Sequence, residues 1–168
     1  MSFSNSCNTI FEQSIRDYHL TDDVDAPEKN PYNNGSIEFL LSRKNWIDTV
    51  QWHLEDIVRR TDIDPAAGIA IKRRIDLSNQ HRTDVVEYID SYFLDQYKST
   101  APAANASINT ESPAWAIDRL SILALKIYHM QAETHHTDVS EEHKTACSEK
   151  LTILLEQQKD LSKAIDDL

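Results

Sequence analysis

The 168-residue chain carries a net charge of −11, which disfavours binding to nucleic acid or to an anionic membrane surface. It contains only two glycines, Gly35 and Gly68, which excludes glycine-rich phosphate loops and disfavours hairpin-rich β folds. No apolar run approaches the roughly 20 residues of a membrane span, and no signal-peptide pattern opens the chain, so we expect a cytoplasmic protein with neither a nucleic-acid nor a membrane partner.

Helix-start signals and apolar periodicity predict an all-α protein, a bundle of four main helices preceded by a short helix near residues 9–19. Asp64 and Ser112, each followed by proline at the first helical position, mark two helix starts. Ser36 and Ser140 can cap two more, the second followed by acids that suit a helix N-terminus. The predicted main helices cover residues 37–60, 65–98, 113–134 and 140–166.

The chain divides by this pattern into an N-terminal segment, 1–35, made of the short helix and a polar linker, and a helical bundle domain, 36–168. Apolar residues surround the helix between Pro113 and Glu133, and a helix that is apolar all round is buried. We therefore expect this helix to be the central element of the bundle or to lie at a homodimer interface. The residues predicted to be inside are Trp115, Leu120, Leu123 and Ile127.

Four sequence blocks are distinctive: residues 43–56 (RKNWIDTVQWHLED), 72–76 (KRRID), 79–90 (NQHRTDVVEYID) and 111–120 (ESPAWAIDRL). Together they resemble a family of bacterial proteins known only as a domain of unknown function, from about Asn33 to the C-terminus. The resemblance implies a small helical cytoplasmic protein and no established activity. It also implies a link to cell-surface polysaccharide synthesis, since such proteins are encoded near glycosyltransferases.

Polar side chains occupy positions where the helical period calls for apolar ones. Arg82 shares a face with apolar residues of its predicted helix, and Asp118 does so on the helix that follows Pro113. Burying such charges costs several kcal/mol unless they are paired, so we predict Arg82 with Asp118, or Arg119 with Asp90. The candidate ligand-binding cluster consists of Asn79, Arg82, Glu87, Asp90, Asp118, Arg119 and His53.

Two metal chemistries find partial motifs. Glu87 and Asp90 fit the Glu-x-x-Asp motif of all-helical nucleotide pyrophosphatases, but the upstream Glu-x-x-Glu is absent and Glu55–Asp56 is only a loose substitute. Di-iron bundles need two Glu-x-x-His motifs on facing helices, and only Glu133 with His136 fits. We therefore predict no cofactor and no metal.

Two functions stay open from the residues, and with them the question of enzymatic activity. One is a non-catalytic interaction or adaptor protein, which the central helix and the acidic surface favour, with a homodimer as one arrangement. The alternative is a small-ligand-binding protein or a metal-dependent phosphate-bond hydrolase with a polar pocket between helices. A solvent-open pocket lined by the polar cluster favours the alternative, whereas complete burial favours a structural network.

Overall fold

The computed structural model describes residues 2–136 and 138–168, and five α-helices account for most of them. No strand occurs within those ranges, which confirms the all-α prediction, and the four main helices end within two residues of their predicted limits. None of the helices described is both long enough and apolar enough to cross a bilayer. In chain order the helices are α1 (Phe3–His19), α2 (Ile37–Val58), α3 (Pro65–Tyr97), α4 (Pro113–His135) and α5 (Glu141–Asp167).

Each helix begins at a side-chain cap. In every case the side-chain oxygen of the cap accepts a hydrogen bond from the backbone N–H three residues further on, which satisfies one of the free donors of the first turn. Four of these caps were predicted from the sequence. The five capping residues are Ser2, Ser36, Asp64, Ser112 and Ser140.

Helix α4 is the centre of the bundle and contacts each of the other four helices. Leu120, Leu123 and Ile127 are buried, as the all-round apolar pattern predicted. The prediction was wrong for Trp115, whose residue surface is 45% exposed. Trp115 lies in the first turn of α4. Apolar periodicity indicates that a helix is buried, but it does not show at which residue the neighbouring helices stop covering it.

Helix α1 begins six residues earlier than the sequence indicated, at Phe3 instead of residue 9, and it packs on α2, α4 and α5. Serine and asparagine dominate its first turns and have weak helix propensity, so the local signal there is faint. Tertiary contact supplies the missing stability: the backbone N–H and the hydroxyl of Ser4 donate to the Asp166 carboxylate of α5 at 2.9 and 2.7 Å. The core residues of α1 are Cys7, Ile10, Phe11, Ile15 and Tyr18.

Candidate functional site

Four charged side chains from three helices meet in the interior of the bundle. Lys44 of α2 lies between two carboxylates: its Nζ contacts Asp48, one turn further along α2, and lies 2.8 Å from Oδ1 of Asp118 on α4. Arg82 of α3 closes the group, with Nε 2.7 Å from Asp48 Oδ1 and Nη2 3.1 Å from Asp118 Oδ1. We call these four residues the charged tetrad; its two cations and two carboxylates make it neutral as a unit.

The tetrad is buried because its α2 members lie on the face that packs into the bundle. Lys44 and Asp48 follow Leu41 at helical spacing, and Lys44 has no exposed surface. Ser121 donates its hydroxyl hydrogen to Asp48 Oδ2 at 2.6 Å, and Asn45 Nδ2 donates to the Ser121 hydroxyl at 3.0 Å. These contacts offset the large desolvation cost of two buried carboxylates.

Arg82 keeps its charge in this setting. Burial lowers the pKa of its guanidinium, but the carboxylates of Asp48 and Asp118 raise it by more, so the pKa lies above its ordinary value. Of the two alternative pairs that the sequence predicts, Arg82 with Asp118 forms and Arg119 with Asp90 does not. Arg119 is exposed and binds Glu111, and Asp90 accepts a hydrogen bond from Ser112 at 2.8 Å.

A cavity of about 300 Å³ opens to solvent over one side of the tetrad. Arg82 reaches it with a side chain that is 22% exposed, and Asp48 contributes to its floor. Gln51 donates through Nε2 to Asn79 Oδ1 at 2.8 Å, but its Oε1 is buried and has no hydrogen-bond donor in the described part of the chain. The lining residues are Asp48, Gln51, Trp52, Glu55, Arg59, Arg82, Ile122 and Leu125.

The structure brings only part of the predicted polar cluster together. Arg82 and Asp118 belong to the tetrad, and Asn79 lies beside them because its Oδ1 accepts hydrogen bonds from Arg82 Nη1 at 3.4 Å and from Gln51 Nε2 at 2.8 Å. Glu87 is exposed on α3, and neither Asp90 nor Arg119 lines the cavity. Sequence reasoning missed several residues of the site: Lys44, Asp48, Gln51 and Trp52.

The remaining predicted residue, His53, belongs to a second cluster. One ring nitrogen of each of His19, His53 and His129 lies within 4.8 Å of the other two. Among the residues that the structure describes, no other group of three or more histidines, cysteines or acids is close enough to hold a metal ion. Of the acids considered for magnesium binding, Glu55 pairs with Arg59 at 3.4 Å and Asp90 accepts a hydrogen bond from Ser112.

Fold and site together define an all-helical bundle protein in which the charged tetrad, which has no net charge, lies beneath an open cavity. The family model described as "Protein of unknown function (DUF4254)" matches residues 38–168, and the chain belongs to that family. The resemblance found in the sequence blocks is thereby confirmed as one to an uncharacterised family. The match covers the tetrad and the cavity, whereas His19 precedes it. No curated protein and no solved structure matches the chain.

Proposed function

We propose that the protein binds a small polar ligand in the cavity over the charged tetrad. The observation that carries the proposal is Gln51 Oε1, a buried acceptor beside an open cavity that lacks a donor from the described residues. A buried polar group without a partner is costly, and a bound hydroxyl or amine would remove that cost. The cavity is open to solvent, which favours a binding role over a purely structural network, although Arg82 alone of the predicted polar cluster lines it.

The lining residues define the chemistry of the ligand. Arg59 and Arg82 offer guanidinium N–H groups that suit a carboxylate or a phosphate. Glu55 and Gln51 can accept hydrogen bonds from hydroxyl groups, and Trp52 offers an apolar face for a ring. The volume of about 300 Å³ is at the lower end of small-molecule sites. A hydroxylated ring compound with one anionic group fits these properties.

The cytoplasmic location and the link to cell-surface polysaccharide synthesis remain predictions from the family resemblance. They select sugar phosphates and sugar nucleotides as the first compounds to test. The hydrolase form of the proposal has less support, because Glu87 is exposed and Asp90 accepts a hydrogen bond from the capping residue of α4. Binding without hydrolysis is therefore the function we propose first.

A thermal-shift titration with sugar phosphates and sugar nucleotides tests the proposal, because a ligand of the native state raises Tm by mass action. We expect Gln51→Met to weaken binding about tenfold or more with little change in the Tm of the free protein, since the replacement removes an unsatisfied acceptor together with the hydrogen bond to Asn79. Gln80→Met, on the exposed surface of α3, is the matched control. The proposal would be contradicted if the two variants bound the compounds equally tightly, or if neither sugar phosphates nor sugar nucleotides raised the Tm of the native chain.

A second candidate is the adaptor role, with the protein as a homodimer. Its specific support is an apolar pair near the end of α3, Leu94 and Tyr97, which are 73% and 58% exposed and lie one helical turn apart. Exposed apolar surface of this kind can be covered by a second copy. Light scattering over a range of protein concentrations tests whether the protein is a dimer. A native chain that is dimeric, together with a Leu94→Ser/Tyr97→Ser variant that is monomeric, would support the homodimer. A monomeric native chain would exclude it.

A further inference from the structure

Three imidazole rings converge next to Trp52, outside the cavity of the proposed ligand site. His19 comes from the last turn of α1, His53 from α2 and His129 from α4. All three rings are partly buried. The three helices are thus joined at a single point by side chains that can each donate a lone pair.

The hydrogen bonds of the cluster leave one of its ring nitrogens, His129 Nε2, without a partner among the described residues. His19 Nδ1 lies 2.7 Å from the backbone oxygen of Ile15, and a neutral imidazole that donates there carries its lone pair on Nε2. His53 Nε2 lies 3.2 Å from this His19 Nε2, so a proton on His53 Nε2 can be donated to the lone pair of His19. His129 Nε2 is buried with no partner among the described residues. A bound cation would satisfy all three nitrogens at once.

Aromatic side chains fix the orientation of the three imidazole rings. Packing of this kind pre-organises a site, because the rings need little rearrangement when an ion binds. The backbone bond of His19 acts in the same way, as metal-binding histidines generally donate their second ring N–H to a carbonyl or carboxylate. The ring contacts are Tyr18 stacked on His53 at 4.9 Å, Trp52 stacked on His129 at 4.7 Å and Tyr128 tilted against His19 at 4.4 Å between centroids.

The surroundings of His53 and His129 favour the neutral form of both rings. Burial, and then the neighbouring His53 and His19, lower the pKa of His129 to about 4. Burial, and then His19, also lower the pKa of His53. Neutral imidazole is the metal-binding species. Asp22 faces the cluster, with Oδ1 3.8 Å from His53 Nε2, on a backbone of positive φ that aspartate tolerates better than most residues.

We propose that His19, His53 and His129 bind one divalent transition-metal ion, zinc first, with a fourth coordination position open to water or to the Asp22 carboxylate. A tetrahedral ion with zinc–nitrogen bonds of about 2.0–2.1 Å separates its nitrogens by about 3.4 Å. The 3.2 Å between His19 and His53 already matches this value. The third nitrogen lies within 4.8 Å of the other two, so its side chain must move by at most about 1.4 Å to reach this separation.

Solvent can reach the site. A cavity of about 470 Å³ has Asp22 and His53 in its lining and opens on the side of α1. Three histidines with an open fourth position form the ligand set of catalytic zinc sites, whereas structural sites use four protein ligands. The proposal does not depend on the ligand site over the charged tetrad, and either can fail alone.

Titration of chelator-treated protein with zinc alone tests the proposal by calorimetry and thermal shift. We expect one ion per chain and a rise in Tm of about 5–10 °C at zinc concentrations near 100 times Kd. Cobalt(II) should give the visible absorption bands of a tetrahedral site. In nitrogen NMR spectra of the native chain, zinc should shift the ring nitrogens of three histidines and leave the other four of the seven unchanged.

Two variants separate this site from chance binding at the surface. His53→Gln and His129→Gln should each weaken zinc binding by about 100-fold or more, since each removes a ligand. The control is His135→Ala/His136→Ala, which alters exposed histidines near Glu133 and should leave binding unchanged. Loss of binding in the control alone would reveal an adventitious surface ion only. The proposal would be overturned if saturating zinc left the Tm of the native chain unchanged, or if the NMR shifts were confined to the exposed histidines. Both measurements use the native chain, so they remain decisive even if a variant fails to fold.

Discussion

Removal of one charge from the tetrad should destabilise the protein more than any surface substitution. Lys44→Met keeps a side chain of similar length but leaves Asp48 and Asp118 with Arg82 as their only cation. Breaking a buried ion pair from one side costs about 3–5 kcal/mol. In a chain of this size each kcal/mol corresponds to about 2–4 °C, so Tm should fall by about 10 °C or more.

The arrangement also predicts which second substitution restores stability. Arg82→Met alone, or Asp118→Leu alone, leaves an odd charge in the interior. Combined, they leave Lys44 and Asp48 as a neutral pair that is still hydrogen-bonded by Ser121. The double variant should therefore recover much of the loss, with a coupling energy of at least about 2 kcal/mol in a double-mutant cycle.

Urea denaturation followed by far-UV circular dichroism measures each free energy of unfolding. Arg119→Met is the control, because Arg119 forms an exposed ion pair with Glu111 and its loss should leave Tm nearly unchanged. Additive losses in the cycle, or an Arg82→Met variant as stable as the Arg119→Met control, would refute the reasoning. The double variant serves a second purpose: if it folds but no longer binds the ligand, the tetrad contributes to the site as well as to the fold.

Three further predictions follow from single contacts. Asp166→Asn should lower Tm relative to Asp167→Asn, because only Asp166 accepts two hydrogen bonds from α1. These hydrogen bonds hold the pKa of Asp166 in the folded protein below its usual 3.8, so their stabilising effect is fully present above pH 3.8 and is lost as the pH falls through the lower folded pKa. The difference in Tm between the two variants should therefore narrow from about pH 7 to about pH 2. Burial, followed by the nearby Asp166 charge, raises the pKa of Cys7 to about 12, so iodoacetamide should modify this thiol slowly in the native protein and rapidly in urea. Leu120→Ala should cost about 2–5 kcal/mol in urea denaturation, and Trp115→Ala far less, because Leu120 is fully buried and Trp115 is not.

Features of the fold encoded locally were predictable from the sequence. The caps at Asp64 and Ser112 identify helix starts because the capping bond spans only three residues, and apolar periodicity gives the extent of the helices. The first turns of α1 escaped prediction because their stability comes from a helix at the other end of the chain, through Ser4 and Asp166. No local pattern records such a contact.

The same distinction applies to the site. Arg82 and Asp118 could be paired from sequence because each interrupts an apolar face and buried charges need partners. Lys44 and Asp48 carry the same signal, since they follow Leu41 at helical spacing, and the test applied to α3 would have found them on α2. His53 was predicted as a site residue, but nothing in the sequence groups it with His19 and His129, because the three are far apart in the chain and only the packing of three helices brings them together.

Helix α2 links the charged tetrad to both of the proposed binding sites. Lys44 and Asp48 fix the rotation and register of α2 against α3 and α4. If the helix were rotated by one residue, or about 100°, both charges would move away from their partners. Further along the same helix, Gln51 lines the cavity, Trp52 both lines it and stacks on His129, and His53 enters the histidine cluster. Each of these three consecutive side chains reaches its place only at one rotation of α2. The buried charges that fix the register of α2 therefore also hold in place the next turn of the helix, which carries the residues of both proposed sites.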